Sequence, residues 1–215
     1  MTQVFENRDC MDAMTEFPDR FFDLAIVDPP YGIDIAKNGK IGQFGKDYGA
    51  KDWDKKPPPP EYFRELFRVS KNQIIWGGNY FIDNLRPSPC MLVWDKGNPG
   101  TNFADAELAW TSFDSPVRMF RYVWSGFRQE NMKEKEKRIH PTQKPVGLYK
   151  WVINNYAKEG YRMLDTHVGS GSSLIAFEDY GLDYWAYEMD KDYYRDTQNR
   201  LLLNRSQLKL FPPSF

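Results

Sequence analysis

Two cysteines, Cys10 and Cys90, are all that 215 residues contain. They supply neither a disulfide framework nor a cysteine zinc site, and an intracellular chain is the expectation. Net charge is nearly absent too: 29 Lys and Arg face 30 Asp and Glu, a formal −1 at pH 7. That balance excludes a uniformly basic nucleic-acid binder and leaves only the local distribution of charge to read. No apolar run approaches the ~20 residues of a membrane span. Residues 1–6 hold no apolar signal core, so a cytosolic location is expected. No internal repeat and no second domain are visible, and a chain of this length suits one domain with its own core.

What is present is uneven. Residues 1–34 carry two Arg against eight acids, and 159–196 carry three basic residues against nine. Residues 35–60 hold six Lys against three Asp, and 115–150 hold nine Lys and Arg against three Glu. The basic stretches suit a polyanion; the alternating Lys and Glu of 133–138 also suit a solvated face. Aromatic residues make up 16% of the chain, many of them outside clear strand or helix patterns, where they line a groove or simply pack.

The apolar run Phe21–Val27 reads as a buried strand that stops at Asp28-Pro29-Pro30-Tyr31, since proline cannot donate to a ladder. The result is a rigid lip carrying an acceptor and a ring. Residues 32–60 form a long Gly/Lys/Asp loop ending in four prolines, a candidate mobile substrate loop. A helix at 61–69, strands at 73–76 and 91–94, and a short helix at 80–85 follow. Two adjacent strands, 107–113 and 117–124, read as a hairpin around Asp114-Ser115-Pro116. A helix from Pro145 to about Lys158, a strand at 161–165, a helix to Tyr180, a strand at 184–188 and a last helix at 191–203 complete an α/β alternation. That alternation predicts a doubly wound sheet. Between strand and helix, Gly169 and Gly171 permit close approach of a ligand to free helix N–H groups. Glu188 ends the next strand, placed to accept from ribose hydroxyls. No lysine follows the glycines, which excludes a phosphate-loop nucleotidase.

Taken together, these segments resemble the DNA amino-methyltransferases that use S-adenosylmethionine. Asp28, Pro29, Pro30 and Tyr31 match the family's catalytic motif, and 165–173 its cofactor motif. His140-Pro141-Thr142-Gln143-Lys144-Pro145 matches a segment lining the methionine end of the cofactor pocket, and Arg8-Asp9-Cys10-Met11 a stretch touching its adenine. The catalytic motif comes before the cofactor motif, as in the circularly permuted β group. The resemblance implies a Rossmann-like, seven-stranded mixed sheet and N(6)-adenine or N(4)-cytosine methylation of double-stranded DNA with the base flipped. It also implies a restriction-modification, orphan or phage context in the cytoplasm of a bacterial or phage-infected cell. Cofactor residues would be Asp9, Cys10, Lys144, Asp165, Thr166, His167, Gly169, Gly171, Ser172 and Glu188, with no metal needed. The family's usual Asp-Pro-Phe is here Asp165-Thr166-His167, which passes the adenine contact to His167 or another ring. That departure also motivates the rival reading of a catalytically weak nucleic-acid binder. The leading Asp28 tilts the base toward adenine, because a leading serine leans to cytosine.

DNA contacts are expected at Lys37, Lys40, Lys46 and Lys51 on the first loop and at Arg118, Arg121 and Arg128. Tyr122, Trp124 and Phe127 are interleaved with those arginines and would fill the gap left by a flipped base; a core-facing hairpin is the alternative. The regions at about 32–60 and 114–139 are thus the DNA-contact regions, and 204–215 a separate tail. Within it Gln207, Leu208, Leu210 and Phe211 resemble the peptide that docks on bacterial sliding clamps; packing back on the last helix is the alternative. A homodimer is a further possibility.

Overall fold

The computed structural model describes residues 1–37, 39, 47–101, 103–125 and 128–207. Lys40, Lys46, Phe127, Leu208, Leu210 and Phe211 lie outside the described residues. In chain order the elements are β1 (Gln3–Glu6), α1 (Cys10–Met14), β2 (Phe22–Val27), α2 (Pro60–Val69), β3 (Ser70–Trp76), β4 (Met91–Asp95), β5 (Ala106–Thr111) and β6 (Arg118–Arg121). Then come β7 (Trp124–Ser125), β8 (Arg128–Gln129), α3 (Val146–Tyr156), β9 (Arg162–Asp165), α4 (Ser172–Asp179), β10 (Asp183–Tyr187) and α5 (Lys191–Ser206).

One sheet runs β1-β10-β9-β2-β3-β5-β4-β6. Its pairings are parallel except where β5 meets β3 and β4. The sheet therefore has eight strands where seven were expected. The added member is β6, which pairs parallel with β4 through Leu92↔Arg118 to Asp95↔Arg121. The expected hairpin of β5 with β6 does not form. Both edges of β5 are already taken by β3 and β4, so the chain passes on to the far side of β4. A small hairpin does occur one step later, between β7 and β8.

Alternation along the strands sorts the core into two layers. Leu24 and Ile26 of β2 face a cluster with Leu148, Val152, Ile153, Leu174 and Phe177 of α3 and α4. Ala25 and Val27 face the opposite cluster, built on Tyr62, Phe63, Leu66 and Val69 of α2 and on Ala13 and Met14 of α1. Trp76 and Trp94 are essentially fully buried, each stabilising by roughly 2–3 kcal/mol. Helices on both faces of a mostly parallel sheet make the doubly wound α/β architecture.

The topology fixes where a ligand must lie. From β9 the chain crosses to β10 on one side; from β2 it crosses to β3 on the other. The switch point is therefore between β9 and β2, which pair through Leu24↔Met163 and Ala25↔Leu164. The crevice outside the carboxyl ends of strands at such a point is the binding place in open α/β sheets. Asp28 leaves the end of β2, and Asp165 is the end of β9.

Candidate active site

The tetrapeptide after β2 is held from three directions. Asp54, 2% exposed, accepts from Tyr31 N at 2.8 Å, Gly32 N at 2.9 Å and Ile35 N at 2.9 Å. One carboxylate thus pins the turn that aims the lip. Tyr31 donates its hydroxyl to Asp28 Oδ1 at 2.7 Å, and Lys144 donates to Asp28 Oδ2 at 2.5 Å. Gly77, with φ +72°, lets the backbone lie against Tyr31; a Cβ there would come within 2.2 Å of the ring. The Tyr31 ring stacks on Tyr80, with centroids 4.8 Å apart and planes 15° apart, so part of its stacking surface is already covered by a protein ring.

Lys144 meets the lip directly, through Asp28. Its side chain is 3% exposed and lies between Asp28 and Glu107, whose Oε2 is 3.0 Å from Nζ. The physical reason is strand direction. β5 runs against β3, so its first residues reach the same end of the sheet as the last residues of β2 and β4. Burial works against the charge on Lys144, yet the two carboxylates outweigh it and raise its pKa. Burial raises Asp28 and outweighs the pull of Lys144. Burial would also raise Glu107, but Lys144 and Lys96 prevail and hold it at about 2.

Across the crevice, Asp165 accepts from His167 N at 3.0 Å and from Ser173 Oγ at 2.5 Å. Burial pushes its pKa up to about 7. Glu188, following β10, accepts from Gly169 N and Asp190 N, both at 2.8 Å, and burial raises its pKa as well. Each of its oxygens keeps further acceptor capacity. His167 bonds Thr166 Oγ1 through Nδ1 at 2.9 Å and meets Tyr62 edge-on at 5.3 Å. Burial lowers it to about 4, leaving a neutral ring at pH 7. Thr166 Oγ1 in turn meets Tyr62 Oη at 2.7 Å. Gly169 and Gly171 adopt φ +54° and +72°, and Ser172 begins α4. Asp9 caps α1 by accepting from Met11 N at 2.8 Å, and Cys10 is buried behind it with its thiol pushed up to about 12. Asn7 joins this end to the cofactor side, donating to the carbonyls of Glu188 at 2.7 Å and Met189 at 2.9 Å.

Neither Asp165 nor Glu188 has a cationic partner among the described residues. Asp165 is buried and Glu188 half-buried, and carboxylates left in that condition suit a ligand that brings positive charge. S-adenosylmethionine, a sulfonium with an ammonium group and a ribose, fits this donor set.

Elsewhere the expectations divide. Arg118, Arg121 and Arg128 are exposed, and Lys37 is exposed beside Asp34. Arg121 lies 3.3 Å from Asp95. Of the rings among the arginines, Phe120, Tyr122 and Trp124 turn inward. Phe120 stacks on Tyr122 and Trp151, and Trp124 is 6% exposed with Nε1 on the carbonyl of Gln143 at 2.7 Å. They are core, because they pack against α3 and the segment before it. Lys51 is also redirected: its Nζ meets Asp190 and Asp192, each at 2.8 Å, and straps the first loop to the cofactor side. Trp53 meets the His140 ring at a 38° tilt, and His140 packs edge-on against Tyr193. Asp54 and Glu107 carry no motif and were missed by sequence reasoning. Gln207 is exposed at the end of α5.

A sequence model of the DNA methylases of the N6/N4 type matches residues 115–199. The type II methyltransferase M.HinfI of Haemophilus influenzae is 27% identical over 90% of this chain, which spans 66% of its length. Among solved structures, the M1.HpyAVI–SAM complex superposes with a TM-score of 0.58 at 17% identity, covering 93% of this chain and all of that one. The PvuII cytosine-N4-specific DNA methyltransferase gives 0.63 at 11% identity, covering 98% of this chain and 88% of that one. The chain thus shares that fold along nearly its whole length and is similar in sequence to the N6/N4 DNA methylases over residues 115–199.

Proposed function

We propose that this chain is a DNA methyltransferase that methylates the exocyclic N(6) of a flipped adenine with S-adenosylmethionine. The observation that carries the reading is the crevice between β2 and β9, where the Asp28–Tyr31 lip faces the Asp165–Ser173 turn across one pair of neighbouring strands. When bound, the cofactor supplies an activated methyl group.

The chain's own residues supply position and electrostatics. Gly169, Asp165, Thr166, His167 and Ser172 would cradle the cofactor, with Glu188 on its ribose and Asp9 and Cys10 bordering its adenine. Asp28 and the carbonyl of Pro29 accept the two amino N–H bonds, and the two prolines fix where that carbonyl points. Accepting both protons directs the nitrogen lone pair away from the base ring and toward the donor. Tyr31 holds Asp28 and, with Tyr80, offers aromatic surface to an extruded base, whose unstacking costs a few kcal/mol.

The adenine assignment rests on the leading Asp28 of the tetrapeptide. Cytosine N(4) is the second reading, favoured by the fold likeness to the cytosine-N4-specific enzyme. The weak-binder reading is disfavoured because Asp28 and Glu188 both stand at the crevice. Incubating unmethylated bacterial genomic DNA with methyl-labelled cofactor tests the proposal. Label should enter DNA, and Asp28→Ala should reduce it at least a hundredfold. No incorporation by the unsubstituted chain would refute the enzyme reading.

A further inference from the structure

Charges of alternating sign run inward from the lip. Asp28 meets Lys144 at 2.5 Å, Lys144 meets Glu107 at 3.0 Å, and Glu107 Oε1 meets Lys96. Glu107 Oε2 lies 3.0 Å from the Lys144 ammonium, so the one cation is shared between Glu107 and Asp28. An ammonium has three protons and no acceptor; here Asp28, Tyr31 Oη at 3.2 Å and Glu107 surround it. Were Glu107 uncharged, Lys144 would have Asp28 as its sole anion, and a carboxylate fully neutralised by its own lysine is a poor acceptor for a substrate amine.

Building on the methyltransfer reading above, we propose that Glu107 is a positioning residue. It shares the Lys144 ammonium with Asp28 and so keeps Asp28 available to the amino group of the target base. Lys96 balances Glu107 from behind. The two cations and two anions then sum to no net charge, which makes the buried row affordable to the fold.

Signs follow from the geometry. Asp28 is faced by Lys144, Glu107 and Tyr31, and beyond them by Tyr62, Tyr149 and Asp165. Burial raises its pKa, Lys144 lowers it and Glu107 raises it. Glu107→Gln therefore lowers the pKa of Asp28. Lys96→Met raises it, since an unbalanced Glu107 draws Lys144 away. A residue that only filled space would move neither.

The test is ¹³C NMR of carboxyl-labelled aspartate in the whole chain, with the Asp28 signal identified by its loss in Asp28→Asn and thermal melts as the folding control. Glu107→Gln should titrate Asp28 at lower pH than the unsubstituted chain, and Lys96→Met at higher pH. In methyl transfer, Glu107→Gln should lose about tenfold in kcat while KM for the cofactor stays within about twofold. The acid limb of kcat/KM should move down in pH with the NMR value. An Asp28 pKa that stays or rises in Glu107→Gln, or an unchanged kcat, would overturn the proposal. Should Glu107→Gln fail to fold, a fall or no change in Lys96→Met does the same. The NMR arm needs no turnover, so an inactive unsubstituted chain would refute the methyltransfer reading while the titration signs still decide how the ammonium is shared.

Discussion

Asp165 lies 2% exposed with a pKa near 7 and, among the described residues, no cation beside it. Binding a cationic ligand favours its ionised form and releases a proton. The dissociation constant for S-adenosylmethionine should therefore fall as pH rises from about 6 to about 8 and level off above. Calorimetric titration across that range checks this, and Asp165→Asn should bind more weakly with no such dependence. The unliganded chain shows the converse. Its folded pKa is raised above the ordinary 3.8, so the folded state holds the proton longer than the unfolded state does. Stability conferred by the protonated form is complete below about 4, declines as pH climbs to about 7, and is flat beyond. The difference amounts to up to about 4 kcal/mol. Asp165→Asn should melt higher than the unsubstituted chain at pH 8 and gain less at pH 5. Asp28, Asp165 and Glu188 were legible in the sequence because each follows or ends an apolar strand, where an acid has no packing role. Glu107 was not. It opens a run that reads as an ordinary strand, and only the antiparallel insertion of β5 brings it to the site. Asp54 was hidden for a different reason: in a Lys- and Asp-rich loop, nothing local separates a buried capping acid from a solvated one.

At the scale of elements, the glycine turn between β9 and α4 was legible as a turn but not in its division of labour. A Cβ on Gly171 would come within 2.5 Å of Thr197 Cγ2, at φ +72°. Gly169, at φ +54°, would meet nothing closer than the His140 ring at 3.7 Å. Gly171 thus seats α5 against the turn, whereas a Cβ on Gly169 would rest in ordinary contact with the His140 ring. Gly171→Ala should cost about 2–4 kcal/mol and Gly169→Ala about 1 kcal/mol. Thr197→Ser removes the offending methyl while keeping the hydroxyl that donates to the Gly169 carbonyl at 2.6 Å. Denaturant unfolding of the double variant should recover at least 1 kcal/mol of the Gly171→Ala loss. The strand positions of β5 and β6 were readable from their apolar and aromatic residues; their partners were not. Pairing is decided by which edges remain free once β3 and β4 have met β5, and no local pattern encodes that.

For the molecule as a whole, the near-zero net charge conceals a division of labour. The acidic segments contribute Asp9, Asp165 and Glu188 of the cofactor side, and the basic segment 115–150 puts Arg118, Arg121 and Arg128 at the surface. β6 lies four strands from β2, roughly 19 Å across the sheet, so one duplex could span the lip and the exposed Arg118 and Arg121. DNA affinity should fall with salt. Arg118→Ala should weaken binding several-fold and reduce the salt slope by about one. Arg121→Ala should do less, because Asp95 already holds part of its charge. Fluorescence anisotropy at several salt concentrations reads both.

Nucleoside mass spectrometry tests the central claim most directly. DNA from cells expressing the chain is digested to nucleosides and compared with DNA from cells expressing Asp28→Ala. The account predicts N(6)-methyldeoxyadenosine in the first and none in the second. N(4)-methyldeoxycytidine in its place would contradict the adenine assignment, and the absence of both would contradict the enzyme.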